Sequence, residues 1–203
     1  MLVYGSRLKN MPIIGFQESE VLGWVKDFII DPDTLKILGF KAYGRLVGQR
    51  NENILDVKSI REYSPLGIVV DSLDEMVTKD DVVKIAKVLD LGFALDGLKV
   101  ETKKGTKLGK VTDFSCTTED FVVQQIVVKR PAVKAFLDPE LIIPRKEVVE
   151  ITDYKIIIKD EEKTIKKKAE TTEFVPNFVN PFRKSEPDYA PAQSQSPDAQ
   201  DTE

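Results

Sequence analysis

Histidine is absent from the 203 residues, and cysteine occurs once, as Cys116. Histidine is the commonest general base and the commonest metal ligand, so neither a Cys-His couple nor a Cys/His zinc site can form. One cysteine also excludes a disulfide within the chain, which suits a reducing compartment. We therefore expect no enzymatic activity, no catalytic residue, no metal and no cofactor, and we predict that Cys116 is a buried, inert thiol.

Long apolar runs are also absent. No stretch approaches the roughly 18 residues that a membrane-spanning helix needs, and residues 1–5 lack the charged region and apolar stretch of a secretion signal. We expect a soluble, cytoplasmic protein without a transmembrane segment. The net charge of -4 differs from the strongly basic balance typical of nucleic-acid binders.

What the chain does contain is an internal repeat. The segment LGWVKDF at residues 22–28 returns as LGKVTDF at 108–114, with five of seven positions identical at an offset of 86. Residues 55–72 match 143–160 at an offset of 88, so the second copy has two extra residues, which we place in a turn. A repeat at a fixed offset indicates a duplicated module. Because copies of roughly 70 residues are near the lower limit for independent folding, we expect them to support each other.

Each copy is predicted to centre on a β-hairpin. Residues 21–30 form the first strand, Asp31-Pro32-Asp33-Thr34 favours the turn, and residues 35–43 form the second strand, with 121–128 as its counterpart. Further short strands are predicted at 12–16, around 54–55, at 66–70, near 98–100, at 142–143 and at 155–158. Many short strands separated by turns favour a small barrel.

A helix is predicted between the copies, at roughly 79–91. Thr78 and Asp81 have the spacing of a capping box, and Gly92 stands where a helix would end. Four apolar residues share one helical face: Val82, Ile85, Ala86 and Leu89. We expect this face to pack against one or both copies. The predicted division is 1–73 for the first copy, 74–93 for the connector, 94–160 for the second copy and 161–203 for the tail.

The tail is charged and then rich in Pro, Gln and Ser, and we predict that most of it is disordered. It contains three phenylalanines spaced four residues apart: Phe174, Phe178 and Phe182. Pro176 and Pro181 argue against a continuous helix there. This segment either docks on its own copy or is recognised by a partner as a short linear motif.

Two further patterns could have carried chemistry. Asp27 and Asp113 recur at matching positions, but an Asp at a strand end near a turn usually accepts backbone hydrogen bonds. The segment GTKLGK at 105–110 resembles a phosphate-binding loop, yet it has only three residues between its glycines and a valine where Ser or Thr should follow the lysine. A turn glycine at 105 and a closely packed strand glycine at 109 explain the segment without a ligand.

A cluster of lysines approaches the second copy: Lys99, Lys103, Lys104, Lys107 and Lys110. One interpretation is a solvated strand edge whose charges discourage pairing. The other is a phosphate-contacting surface, with Lys103, Lys104 and Lys107 as candidate partner-binding residues. No aromatic residue is interleaved with these lysines, as a stacking platform for single-stranded RNA would require.

The repeated Leu-Gly-x-Val-x-Asp-Phe element followed by a hairpin resembles the PRC-barrel family, which is named for the cytoplasmic domain of the photosynthetic reaction centre H subunit and is shared with a ribosome maturation factor. Asp31-Pro32-Asp33 fits the family turn in the first copy, whereas residues 117–120 depart from it in the second. The resemblance covers about residues 5–72 and 96–160. It implies a mainly β protein with two small PRC-type barrels in tandem, joined by a short α-helix, and it implies non-catalytic adaptor modules.

Three functional hypotheses follow. The first is a cytoplasmic adaptor that binds a protein partner of unknown identity, with Phe174, Phe178 and Phe182 as a second contact. The second is association with RNA or the ribosome through the lysines from 99 to 110, which would weaken steeply with salt. The third is small-ligand binding or catalysis, which a deep pocket with converging polar groups would support.

Overall fold

The computed structural model describes residues 1–44, 46–47, 53–131 and 139–160. The chain opens with strand β1 (Leu2–Tyr4) and a single helical turn, α1 (Gly5–Leu8). Nearly all other regular structure belongs to two curled, seven-stranded sheets. The mainly β class and the tandem arrangement joined by a short helix are therefore confirmed, while residues 161–203 lie outside the described residues.

The first sheet is built from residues 12–77, that is, from the first copy and the start of the predicted connector. Its strands are β2 (Pro12–Gly15), β3 (Glu20–Ile30), β4 (Ile37–Tyr43), β5 (Ile54–Asp56), β6 (Ile60–Ser64), β7 (Gly67–Val70) and β8 (Met76–Val77). They lie in the order β6-β7-β2-β3-β4-β5-β8. In the predicted turn the Asp31 carboxylate accepts hydrogen bonds from the Asp33 N–H and the Thr34 hydroxyl, at 3.1 and 2.9 Å. Burial opposes ionisation of Asp31, but these bonds and the Lys84 ammonium outweigh it and hold the pKa of Asp31 below its usual value.

The second sheet repeats this order and adds a strand from the start of the chain. Its strands are β9 (Lys99–Thr102), β10 (Lys107–Thr117), β11 (Val123–Lys129), β12 (Glu140–Pro144), β13 (Val148–Ile151) and β14 (Lys155–Ile158), with β1 as the seventh. Strand β1 pairs with β10, antiparallel, so that Val3 lies opposite Cys116. The opening residues therefore belong to the sheet of the second copy, which the repeat did not indicate.

The strand registers are the same in both sheets. The bulge between Val25 and Asp27 in β3 recurs between Val111 and Asp113 in β10, at the offset of 86. The parallel pair of β2 and β7 recurs as β9 and β14. Gly39 opposite Asp56 recurs as Gln125 opposite Pro144, which places the two extra residues of the second copy in the loop between β11 and β12. The duplication is thus structural as well as sequential.

The two copies meet through equivalent residues. The Ile37 N–H donates to the Phe121 carbonyl at 2.8 Å, and the Val123 N–H donates to the Leu35 carbonyl at 2.9 Å. Ile37 and Val123 are equivalent at the offset of 86, and so are Leu35 and Phe121, so exchanging the two copies converts one bond into the other. The copies are therefore related by an approximate two-fold axis. Leu35 and Phe121 both adopt a left-handed backbone, with φ of 55° and 52°. Such a conformation is costly for large side chains, and both residues are nearly completely buried in return.

Aromatic rings fill the contact along this axis. Phe28 and its equivalent Phe114 lie edge to face with ring centroids 5.0 Å apart, and Phe40 lies against Phe121 at 5.5 Å. One continuous apolar core contains residues of both sheets. The shared core supports two copies that are each near the lower size limit for independent folding, and this mutual support agrees with the prediction. Among the described residues the edge strands of each sheet do not pair with each other, so the sheets curl without closing.

The connector is a short 3₁₀ turn (Lys79–Asp81) followed by helix α2 (Val83–Asp90). The predicted capping box of Thr78 and Asp81 is confirmed, but it caps the 3₁₀ turn because Val82 is extended and interrupts the helix. Gly92 ends the helix with φ of 62°. The buried residues of α2 are Ile85 and Val88, which pack on the first sheet against Ile29, Leu38 and Ile54.

Candidate interaction surfaces

The outer surface of the first sheet exposes aromatic side chains. Trp24 on β3 lies opposite Tyr43 on β4 and opposite Pro12 on β2. The Trp24 and Tyr43 ring centroids are 5.9 Å apart, and the two residues are 38% and 41% exposed. The Tyr43 hydroxyl donates to the Asn10 side-chain carbonyl at 2.9 Å, which fixes the ring.

The same surface continues along the strands. Val21 on β3 is 40% exposed and lies opposite Ile14, whose neighbour in β7 is Val69. We call this surface, formed by Pro12, Ile14, Val21, Trp24, Tyr43 and Val69, the aromatic face. Large apolar side chains gathered on an exposed sheet are typical of a binding surface.

At the equivalent positions the second copy carries lysines. The offsets that superimpose the two registers convert Pro12, Val21, Trp24 and Tyr43 into Lys99, Lys107, Lys110 and Lys129. Lys110 lies opposite Lys129 on one side and opposite Lys99 on the other, and Lys155 on β14 is the next residue in the row. We call the surface formed by Lys99, Lys107, Lys110, Lys129 and Lys155 the lysine face.

Two carboxylates lie beside the lysine face, and one of them, Glu101, lies opposite Lys107 in the register. Lys155 is paired with Glu101 at 3.6 Å, and Glu140 lies opposite Lys129 in the register. Neighbouring strands are about 4.8 Å apart, and like charges directly opposite each other destabilise a sheet. A row of four cross-strand lysines therefore costs folding stability that a bound anion would recover.

The strand-edge interpretation of the lysines is wrong. Strand β9 pairs with β10 and with β14, and β10 pairs with β9 and β11, so both lysine-bearing strands are internal. Lys103 and Lys104 lie in the turn between β9 and β10, where the Lys104 N–H donates to the Asp160 carboxylate at 3.0 Å. Strand alternation alone would put Lys107 and Lys110 on opposite faces. The bulge between Lys107 and Gly109 brings them to one face, and only the strand order shows that Lys129 and Lys155 belong with them.

The glycines that both copies share, Gly23 and Gly109, allow a neighbouring strand to pack closely against the backbone. A Cβ on Gly109 would lie 2.0 Å from the Lys129 carbonyl oxygen, and one on Gly23 would lie 2.6 Å from the equivalent Tyr43 oxygen. Gly109 has φ of 151°, and Gly105 has φ of 81° in the turn. Residues 107–117 form one strand, whereas a phosphate-binding loop leads directly into the N-terminus of a helix, so the backbone of this segment differs from such a loop.

Both repeated carboxylates accept backbone hydrogen bonds, as predicted, but they lie at the bulges inside β3 and β10 and not at a strand end. Asp27 accepts from the Phe28 N–H at 3.0 Å, and Asp113 accepts from the Phe114 N–H at 2.8 Å. Asp113 also accepts from the Ser6 N–H and hydroxyl, at 3.0 and 2.7 Å. These bonds hold α1 against the second sheet.

The single thiol is fully buried. Cys116 is 0% exposed, and burial, with a smaller contribution from the charges of Asp120 and Asp113, raises its pKa to about 12. A thiol so rarely ionised is a poor nucleophile. Among the described residues, no group of three or more Cys, Asp or Glu side chains is arranged to hold a metal ion.

A cleft of about 380 Å³ lies where the two copies meet. Equivalent residues from the two copies line it, including Asp27 with Asp113 and Phe28 with Phe114. This is a pocket with converging polar groups, the feature that was expected to support small-ligand binding. We call it the axial cleft.

Some predictions lie outside what the structure describes. Phe174, Phe178 and Phe182 are beyond the described residues, so their role remains a prediction. The α-helices of the described segments have four and eight residues, and neither meets the length and hydropathy that a membrane span requires.

Comparison with known proteins agrees with the repeat. The family model of the PRC-barrel domain matches the chain twice, over residues 1–85 and 92–165. No curated protein matches the chain significantly. The two matched regions contain the two sheets and their repeated hairpins and together cover most of the 203 residues. The chain therefore belongs to the PRC-barrel family and contains two of its domains in tandem.

Proposed function

We propose that this protein is a non-catalytic cytoplasmic adaptor that binds a protein partner on the aromatic face. The observation that carries the proposal is the divergence of one surface between two otherwise matched sheets. Trp24 and Tyr43 occupy positions that the second copy fills with Lys110 and Lys129, although the backbone registers are the same. Because the second sheet has the same register without aromatic residues at these positions, we attribute Trp24 and Tyr43 to binding and not to folding.

The chemistry of the aromatic face suits a protein partner. Tryptophan and tyrosine dominate interface hot spots because they bury much apolar area and lose little side-chain entropy. Trp24 and Tyr43 sit on the two longest strands of the first sheet, in contact with each other, and Asn10 orients the Tyr43 hydroxyl. This preorganisation lowers the entropic cost of binding.

The test replaces the aromatic face with the residues of the second copy. In native pulldown with mass spectrometry, full-length Trp24→Lys and Tyr43→Lys should each retain at least about tenfold less of a partner than the parent chain, as expected for hot-spot residues. Val83→Lys is the matched control, because Val83 is 69% exposed on α2 and is not one of the residues that form the aromatic face. Equal retention by all four proteins would overturn the proposal.

A parallel variant addresses the tail. Full-length protein with Phe174, Phe178 and Phe182 changed to alanine should show reduced retention if the tail is a second contact. If this variant loses the partner while Trp24→Lys retains it fully, the binding site lies in the tail and not on the sheet.

A second candidate is contact with phosphate groups of RNA or the ribosome, which the row of Lys129, Lys110, Lys99 and Lys155 favours. Binding to RNA should then weaken linearly in a plot of log affinity against log salt. Each of Lys99→Gln, Lys110→Gln and Lys129→Gln should reduce that slope by roughly one or less. Lys84→Gln and Lys87→Gln on α2 are charge-matched controls. Salt-independent binding, or equal effects of the controls, would exclude this candidate.

A further inference from the structure

The axial cleft is lined by pairs of residues that the duplication made equivalent. Backbone hydrogen bonds align residues 10 and 11 with 97 and 98, because Asn10 and Gly97 donate to equivalent carbonyls of β3 and β10. The same alignment pairs Leu8 with Leu95, and both are buried. It therefore also pairs Gly5 with Gly92 and Ser6 with Phe93.

The two sides of the cleft differ. On one side the Ser6 N–H and hydroxyl occupy both oxygens of Asp113, and α1 packs so closely that a Cβ on Gly5 would lie 2.7 Å from the Phe114 ring. On the other side Phe93 replaces Ser6 and supplies no hydroxyl. A Cβ on Gly92 would meet no atom within 4 Å, so this side is open.

Asp27 is solvent-exposed and accepts fewer hydrogen bonds from the protein than its equivalent Asp113. It accepts the N–H of Phe28 at 3.0 Å, and among the described residues no side chain donates to it. Its carboxylate and the Phe28 ring line the cleft. The closed side shows which chemistry complements this pair: two hydrogen-bond donors, one for each carboxylate oxygen, on a compact group that rests against the phenyl ring.

We infer that the axial cleft binds a guanidinium group, whose paired N–H donors reach the Asp27 carboxylate while its plane lies against Phe28. A guanidinium is the planar cation that makes bidentate hydrogen bonds to a carboxylate and also stacks on aromatic rings. A volume of about 380 Å³ is in the range of small-molecule sites. The group belongs either to a free guanidino compound or to an arginine of a partner protein.

Charges of both signs line the cleft: Asp27, Asp96 and Asp113 on the one hand, and Lys9 and Lys41 on the other. The Lys9 ammonium lies 5.8 Å from the Phe28 ring centroid, so this ring already attracts a positive charge. Lys9 is also paired with Asp96 at 3.9 Å. The C-terminal end of α2, whose carbonyls carry partial negative charge, lines the cleft near Gly92. The opposing charges are Lys9 itself, which a guanidinium on the Phe28 ring would have to displace, and Lys41, which lies opposite Asp27 in the register.

The probe is butylguanidine, titrated into the isotopically labelled full chain and followed by amide chemical-shift changes, which report position and affinity together. Butylurea has nearly the same shape without the charge, and butylamine has the charge without the planar donors. We expect butylguanidine to bind at least about tenfold more tightly than either, with shifts at residues 27–28 and 92–94. N-acetyl-arginine amide separates the two sources, because a site for a partner's arginine should bind it at least as well as butylguanidine.

Two variants test the assignment of the site. Asp27→Asn should weaken butylguanidine binding roughly tenfold or more, whereas Asp33→Asn, which removes an exposed carboxylate outside the cleft, should have no effect. Ala94→Trp, which fills the cleft and leaves Asp27 in place, should abolish binding. Equal binding of butylurea and butylguanidine, the absence of shifts at the cleft, or unchanged affinity in Asp27→Asn would each overturn the inference. None of these outcomes bears on the aromatic face, so the two proposals fail separately.

Discussion

A core substitution in the second sheet should destabilise the first. Phe114 is 6% exposed and lies edge to face with Phe28 across the approximate two-fold axis. Because a single apolar core contains residues of both sheets, we expect the two copies to unfold in one transition. Trp24 is the only tryptophan and sits on the first sheet, so its fluorescence reports on the copy that is not mutated.

The size of the effect follows from the contact. Truncating a buried phenylalanine to alanine costs about 3–5 kcal/mol, of which an aromatic pair supplies about 0.5–1.5 kcal/mol. With a urea m-value of about 2 kcal/mol/M, Phe114→Ala should lower the midpoint by about 1.5–2.5 M. Phe114→Leu keeps most of the volume and should cost no more than about 1.5 kcal/mol, so it remains measurable if the alanine variant does not fold.

The assay compares two probes of the same unfolding. Trp24 fluorescence and far-ultraviolet circular dichroism should give coincident urea curves, both shifted equally in Phe114→Leu. A double-mutant cycle with Phe28→Leu should show a coupling energy of about 0.5–1.5 kcal/mol. Tyr154→Ala, at a 67% exposed position of the second copy, is the control and should shift neither curve appreciably. A Trp24 transition that stays at its original midpoint in Phe114→Leu would refute the shared core.

Three further predictions concern single residues. Gly109→Ala should destabilise the chain by roughly 2–3 kcal/mol in the same urea assay, because its Cβ would collide with the Lys129 carbonyl oxygen and its φ of 151° strains any other residue; a stability equal to that of the parent would contradict this packing role. Cys116 should react with a disulfide reagent at neutral pH only as fast as the protein unfolds, since burial raises its pKa to about 12; rapid labelling of the native chain would show an accessible thiolate. Asp31→Asn should be less stable than the parent at neutral pH, and this difference in stability should shrink as the pH falls below about 4. The reason is that a carboxyl whose pKa is lowered by folding contributes stability above its unfolded pKa and loses that contribution as it is protonated. A pH-independent difference in thermal midpoint would contradict the ionic role of Asp31.

The repeat and the hairpins could be predicted because their causes are local. The Asp31 turn depends on hydrogen bonds within four residues, and the Thr78–Asp81 pair depends on a spacing of three. The roles of Gly105 and Gly109 follow from backbone geometry that few other residues adopt. Helix α2 is shorter than predicted. Val82 fits the helical spacing of the apolar stripe, but its backbone is extended, so the helix begins only at Val83. Of the predicted stripe, Ile85 is buried and Val82, Ala86 and Leu89 are half-buried, while the buried Val88 was not predicted; the periodicity also did not reveal where the helix begins.

The candidate sites could be predicted only in part. The lysines from 99 to 110 stand out in the sequence, but their interpretation as a strand edge failed because strand order is a non-local property. The aromatic face went unrecognised, although Trp24 against Lys110 was visible as a difference between the copies. Applying the offset of 86 to outward positions would have shown lysines in place of Val21, Trp24 and Tyr43, whereas Lys99 replaces Pro12 at an offset of 87 that only the strand register reveals. The axial cleft had no sequence signal at all.

The sequence alone therefore determined the module, its duplication, its turns and the absence of histidine-dependent chemistry, because each follows from composition or from contacts between near neighbours. Only the tertiary structure decided how the copies meet. Three contacts show this: Phe28 with Phe114, β1 with β10, and Ser6 with Asp113, which makes the surroundings of Asp113 differ from those of Asp27. Each contact joins residues more than 80 positions apart. Such pairings depend on the simultaneous packing of two sheets around one core, and no local pattern specifies them.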